Sequence, residues 1–269
     1  MKDEGKFEED QPKEEEYVPT PEDFLFDEEE TEEDIEKKKS QKFMRRFIGI
    51  GIAVVLILQG ANIWFSLFSK DNRELARTSE ELSQYEHIIN YKEAVVTIQG
   101  NGGKGTGFAI SDDGYILTNH HVIDNRQPLA AVFPGGEIYH VDVLQSDEDL
   151  DVALLKVEGE NLPHLPLRIS DAKEHESIYV IGNPLTQTQI VNEGEIVNNE
   201  QPYQVMKITN PIFPGHSGSP VISQAGEVVG IVYARMIPSI GNQEEGHGLA
   251  IPIEQVFEFI PELKQIVSE

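Results

Sequence analysis

The sequence predicts an all-β domain carried behind one apolar helix and an acidic N-terminal tail, and three observations support this. Beyond residue 93, short strand-forming runs alternate with turn signals at a spacing that suits a sandwich or barrel and not alternating β-α units. Phe47 to Phe68 runs 22 residues without a charged side chain. The first 36 residues carry 18 acidic and 3 basic side chains. At 269 residues the chain suffices for one domain with a sizeable core, or for two small ones.

The stretch Met1 to Glu36, interrupted by Pro12, Pro19 and Pro21, repels itself and offers too little apolar surface to fold, so a disordered tail is expected. Its apolar island, Phe24-Leu25-Phe26, is a candidate motif for a cytoplasmic partner, set against the plainer reading of a solvated tail. A formal charge of −27 argues against nucleic-acid binding, because phosphates would be repelled. With no cysteine, disulfides, thiolate nucleophiles and Cys-ligated zinc are excluded.

Charge then inverts at Lys37, Lys38, Lys39, Lys42, Arg45 and Arg46, which closes the tail at residue 46. As a helix, residues 47–68 rise about 33 Å, enough for a hydrocarbon core of roughly 30 Å. The basic residues before it, against Lys70 and Arg73 after it, predict a cytoplasmic N-terminus and an extracytoplasmic remainder. A cleaved signal peptide would have a shorter apolar region and a small-residue cleavage site. Residues 69–92 read as a helical stalk, with Leu75, Leu82 and Ile89 at heptad spacing and a capping box formed by Thr78 and Glu81.

Residues 93–269 form the expected β domain. Strands are predicted at Ala94 to Gln99, Gly107 to Ile110, Tyr115 to Asn119, Leu129 to Phe133, Ile138 to Leu144 and Val152 to Val157. A second group follows at Ile178 to Ile181, Gln189 to Val197, Tyr203 to Thr209, Val221 to Ile222, Val228 to Arg235 and Gly248 to Ile251. Asp112-Asp113-Gly114 and Pro134-Gly135-Gly136 are the hairpin-type breakers. Ile253, Val256, Phe257, Ile260 and Leu263 give the C-terminal stretch, to about Val267, a helical period.

Within the second group, Ile212-Phe-Pro-Gly-His-Ser-Gly-Ser-Pro-Val221 sets Ser217 between Gly215 and Gly218. Glycines permit backbone conformations that turn peptide N–H groups toward one spot, as an oxyanion requires. An ordinary Gly-Ser-Pro loop has the same composition, so the partners decide. A serine becomes nucleophilic when a neutral imidazole takes its proton and a carboxylate orients that imidazole. His120 and His121 are the candidate bases, and Asp147, Asp149 and Asp151 the candidate acids; composition does not choose among them.

Gly105-Thr-Gly-Phe-Ala-Ile, Asp113-Gly-Tyr-Ile-Leu-Thr-Asn-His-His-Val122, Asp151-Val-Ala-Leu-Leu-Lys156, Gly182-Asn-Pro184, Gly215-His-Ser-Gly-Ser-Pro220 and Gly248-Leu-Ala-Ile-Pro252 together resemble the HtrA/DegP group of trypsin-like serine proteases. The resemblance covers about Val95 to Val256 and implies a trypsin-like fold of two six-stranded β-barrels. It places the catalytic base on His121, the acid on Asp151 and the nucleophile on Ser217, with Gly215 and Ser217 N–H groups as the oxyanion hole. No cofactor is implied, and no metal is expected, since no histidine pair has helical ligand spacing.

The resemblance has limits. His216 stands where the family usually has Asn and Ser219 where it usually has Gly, a form similar to the glutamyl endopeptidases. The 17 residues after Pro252 leave no room for the PDZ domain such proteins usually carry, so peptide-activated regulation is not carried over. By the same resemblance Pro211 forms the floor of the primary specificity pocket and Val232 its wall, which implies cleavage after small to medium aliphatic residues. His216 is the local group that could receive an acidic residue instead. The expected function is therefore a membrane-anchored serine endopeptidase acting on protein or peptide substrates in protein quality control or regulated proteolysis, with a homo-oligomer as a candidate assembly. The alternative is a catalytically silent, membrane-anchored scaffold on the same fold.

Overall fold

The computed structural model describes residues 32–67, 70–170, 172–184, 187–198, 205–236 and 247–266. The chain divides into two units between Ser66 and Leu67. The first contains helix α1, Glu32–Leu67, up to its last residue, and the 36 residues of the helix rise about 54 Å. Within it Gln41–Gly60 is long and apolar enough to cross a bilayer, and its side chains are exposed throughout. The expected tail is corrected at its end, because residues 32–46 form the start of α1 and not disordered chain. The rest of the expected tail, up to residue 31, together with Phe68 and Ser69 at the expected helix end, lies outside the described residues.

The second unit opens with α2, Lys70–Leu82, and α3, Glu86–Glu93. Two sheets follow. The first is built from β1 Val95–Gly100, β2 Gly103–Ala109, β3 Tyr115–Thr118, the one-turn helix α4 His120–Ile123, β4 Ala130–Val132, β5 Ile138–His140, β6 Asp142–Asp147 and β7 Val152–Lys156. The second is built from β8 Ser177–Gly182, β9 Ile190–Asn198, β10 Met206–Ile208, β11 Pro220–Ser223, β12 Val228–Arg235 and β13 Gly248–Pro252. Helices α5 Ile253–Phe259 and α6 Leu263–Ile266 end the described chain.

The second sheet closes as a barrel in the order β10-β13-β12-β11-β8-β9, whereas the first runs β5-β4-β1-β2-β3-β7-β6 without a closing ladder. The implied six-stranded first barrel is thus a seven-stranded half-barrel, and Val141 explains the difference. The predicted strand Ile138 to Leu144 breaks there: Val141 turns its N–H to Leu129 O (3.2 Å) and its side chain is buried. Before the break the chain pairs with β4, and after it with β7, so one continuous segment supplies both edges and the sheet must curl round on itself.

Three apolar clusters fill the unit. Ile98, Ile116, Val122 and Leu155 belong to the core of the first sheet, and Ile178, Ile208, Val221 and Val232 to that of the second. A third cluster joins them, with Phe108, Leu117 and Leu154 from the first sheet meeting Ile181, Ile222 and Ile231 from the second and Val256 and Phe257 from α5. Deleting a fully buried aromatic such as Phe108 would cost about 3–5 kcal/mol. The C-terminal helical stretch is interrupted after Phe259, because Pro261 has no N–H to continue the ladder.

The heptad positions of the expected stalk divide in the structure. Leu75 is buried, but the chain turns at residues 83–85, so that Ile88 enters the core and Ile89 stays exposed. Thr78 and Glu81 lie inside α2 and cap nothing. Buried Ser79 instead accepts a hydrogen bond from Val191 N–H of β9 (3.0 Å), which ties α2 to the second barrel.

Candidate active site

Strand β3 runs through Asn119 directly into α4, which carries His120 and His121. Val122 and Ile123 of α4 are buried, and Val122 packs so closely on Gly105 that a Cβ there would stand 2.7 Å from its methyls. With those side chains committed to the core, His121 projects into the open, its side chain 46% exposed. Asp151, in the turn before β7, holds it twice: Oδ2 lies 2.7 Å from His121 Nδ1, and Oδ1 accepts from the His121 backbone N–H at 3.0 Å. This leaves Nε2 as the ring nitrogen facing away from the carboxylate, the arrangement a general base requires.

The structure also separates the alternatives that sequence left open. His120 Nδ1 lies 2.7 Å from Ser146 Oγ, and Asp147 Oδ1 accepts from Leu150 N–H at 2.7 Å, so both have other partners. Asp151 adopts a left-handed backbone, φ 56°. Asn119, at the N-cap of α4, does not cap the helix; its Nδ2 donates to the Asp151 carbonyl (2.8 Å) and steadies that conformation.

Ser217 lies in the loop between β10 and β11 of the second sheet. Pro214 and Gly215 are the central residues of a turn closed by His216 N–H to Phe213 O (3.0 Å), and Gly215 has the positive φ, 102°, that a type II turn demands at its third position. Gly218, φ 83°, seats the loop against the first sheet, where a Cβ would stand 1.9 Å from Thr106 O. Thr106 N–H donates to Ser217 O at 3.0 Å. The N–H groups of Gly215 and Ser217 have no protein acceptor among the described residues. Ser217 Oγ lies 3.5 Å from Tyr233 O, at the limit of a hydrogen bond, and makes none to His121.

His216 is fully buried, which removes it as a receptor for an acidic substrate side chain. Burial lowers its pKa to about 4, against the opposing effect of its hydrogen bond with the Phe213 backbone, so the ring is neutral at pH 7. Its Nε2 and the Ser219 hydroxyl are buried without hydrogen-bond partners among the described residues. Tyr233, on β12, has its phenol pKa raised by burial first and then by the nearby Asp151 charge.

Pro211 is exposed and lines a cavity of about 380 Å³ with Asn192, Ile212, Phe213 and Arg235, closed on another side by Leu75 of α2. Val232 has no exposed surface: it lies in the barrel core, and its backbone exchanges hydrogen bonds with Gly218 and Ser219 at 2.9 Å each. A cavity thus lies at Pro211, whereas Val232 is part of the barrel core. Among the described residues no three His, Asp or Glu side chains cluster as metal ligands would. Sequence reasoning missed Thr106, Asn119 and Tyr233; Thr106 and Asn119 stand inside quoted motif blocks, but their contacts are long-range.

Residues 105–231 match the family model of the trypsin-like peptidase domain. The chain is 35% identical over 170 residues to a DegP-like periplasmic serine endoprotease of Pseudomonas fluorescens, covering 60% of this chain and 35% of that protein. It is 33% identical over 163 residues to a Synechocystis sp. protein named as the serine protease HhoB, covering 56% of this chain and 38% of that one. Among solved structures, the serine endoprotease from Yersinia pestis superposes with a TM-score of 0.59 at 27% identity, over 68% of this chain and 66% of that chain. The chain carries a trypsin-like peptidase domain. It is HtrA/DegP-like, and it spans about a third of the length of the curated relatives it matches.

Proposed function

We propose that this protein is a membrane-anchored serine endopeptidase. The observation that carries the reading is the two-point hold of Asp151 on His121, and beside it stands a loop in which Ser217 lies next to two N–H groups without an acceptor among the described residues. Ser217 attacks the peptide carbonyl, His121 accepts the hydroxyl proton and returns it to the leaving amine, and Asp151 holds the imidazole tautomer. The N–H groups of Gly215 and Ser217 receive the oxyanion, each worth about 10²- to 10³-fold in rate. Water then attacks the acyl-enzyme with His121 as base. In this reading the Ser217–His121 hydrogen bond forms when substrate binds, a tightening common in catalytic sites.

α1 serves as the anchor in this reading, with the basic residues from Lys37 to Arg46 on the cytoplasmic side. The cavity beside Pro211 receives the residue before the cut bond, with apolar contact from Ile212 and Phe213 favouring small to medium aliphatic side chains. Digestion of an unfolded protein by the detergent-solubilised full chain tests this. Peptides absent with Ser217→Ala and ending mainly in Val, Ile, Ala or Leu are expected; no Ser217-dependent cleavage would refute the activity, and products ending mainly in Glu or Arg the specificity.

A second reading, a silent scaffold, draws on the open Ser217–His121 pair. The two part in a complementation experiment: Ser217→Ala restores a deletion phenotype for a scaffold and fails to do so for an enzyme.

A further inference from the structure

Thr106 is fully buried on β2 and makes no hydrogen bond to the His121 imidazole or the Ser217 hydroxyl, yet it is bonded to the nucleophile loop at two points. Its Oγ1 lies 2.7 Å from Gly215 O and 3.0 Å from Asn183 N. A carbonyl only accepts and an amide N–H only donates, so the direction of both bonds is fixed: Asn183 N–H donates to the hydroxyl, and the hydroxyl proton goes to Gly215 O. The backbone of the same residue donates to Ser217 O at 3.0 Å, while its own carbonyl accepts from Thr118 Oγ1 at 2.6 Å. One side chain and one peptide thus hold the two carbonyls on either side of His216.

Gly215 needs such a hold. With no Cβ and a φ of 102°, its peptide planes can rotate with little steric resistance, and rotation would re-aim the N–H groups beside Ser217. Asn183 braces the support in turn: its Nδ2 donates to Val96 O (3.1 Å), and its Oδ1 accepts from Gln189 N–H (2.8 Å). We infer that Thr106 is a positioning residue whose hydroxyl fixes the Gly215–His216 peptide and so keeps the Gly215 and Ser217 N–H groups aligned as an oxyanion site. The inference rests on the endopeptidase reading above and adds to it a residue outside the reacting groups.

The test compares Thr106→Val, which keeps the branched shape but not the hydroxyl, with Thr106→Ser, which keeps the hydroxyl, in the full chain in detergent. Thr106→Val is expected to lower kcat and the rate of fluorophosphonate labelling about 10- to 100-fold, with KM within about threefold of wild type. Thr106→Ser should restore both to within about threefold. Thr106→Cys, close in size with a weak donor, takes the place of the valine variant if that does not fold, with a loss in the same direction. Wild-type kcat in the valine variant, or equal losses in the valine and serine variants, would overturn the inference. Amide hydrogen exchange across residues 211–218 reads the same hold without catalysis. Faster exchange in Thr106→Val supports it and unchanged exchange contradicts it, so the role of Thr106 is decided even if wild type proves unreactive and the endopeptidase reading fails.

Discussion

Asp151 grips His121 at both its ring and its backbone, with Oδ2 2.7 Å from Nδ1 and Oδ1 3.0 Å from the main-chain nitrogen. Side chain and backbone of the proposed base are thereby fixed by one carboxylate. Asp151→Asn is the informative change, because asparagine tolerates the left-handed φ of 56° and can still meet the backbone N–H. Its amide cannot hold the tautomer that leaves Nε2 free to accept. Peptide turnover is expected to fall about 10³- to 10⁴-fold with the melting temperature within a few degrees of wild type. A variant with near-normal turnover would remove Asp151 from the mechanism.

Gly218→Ala concerns the seam between the two sheets. The added methyl would meet Thr106 O at 1.9 Å and Thr118 Oγ1 at 2.5 Å, on a residue whose φ of 83° already disfavours a side chain. Both obstacles are backbone or buried, so neither can swing aside. The expected loss is about 3 kcal/mol or more, read by denaturant unfolding of the full chain in detergent. Unchanged stability would mean that the loop does not sit against β2 as described.

Acid should weaken the fold through His216. In the folded chain its pKa is lowered to about 4, below the ordinary imidazole value of 6.5, so the unfolded chain binds the proton first. The associated stability is whole above pH 6.5 and declines as pH falls toward about 4, by about 3 kcal/mol across that window. His216→Asn cannot titrate and should flatten the decline. Equal pH slopes in wild type and variant between pH 6.5 and 4 would contradict the burial of a neutral ring.

Arg168 and Glu176 give a second acid-sensitive contact at lower pH. Two parallel bonds of 2.6 Å join side chains only 14% and 20% exposed. The Arg168 hydrogen bond is the chief cause that holds the Glu176 carboxyl below its ordinary pKa. Stability from this pair is therefore present above the ordinary glutamate pKa and lost as pH falls through the depressed value. Arg168→Ala should cost about 2–3 kcal/mol at pH 7, measured by denaturant unfolding, since it strands a largely buried carboxylate. A loss under 0.5 kcal/mol, the range of an exposed pair, would contradict this.

Much of the fold is legible in the sequence because strand-forming runs end at recognisable turns. All twelve expected strands have counterparts, and the thirteenth arises where Val141 bends one of them. That bend has no local signal: it follows from one segment having to reach both edges of the first sheet. The choice of His121 over His120 has the same character. Adjacent residues on a one-turn helix differ only in what the fold brings near them, Asp151 for one and Ser146 for the other. Ser79, Thr106 and Asn183 were silent because their partners, Val191, Gly215 and Val96, lie 112, 109 and 87 residues away in the chain. Ile88 rather than Ile89 enters the core because the chain turns at residues 83–85, and a heptad count runs through that turn without seeing it.

The most direct test of the central claim is labelling of the detergent-solubilised full chain with a fluorophosphonate, followed by mass spectrometry of the adduct. One adduct is expected, on Ser217, formed at a rate that collapses in His121→Ala and absent in Ser217→Ala. Folded wild-type protein that takes up no label, or takes it up at another residue, would contradict it.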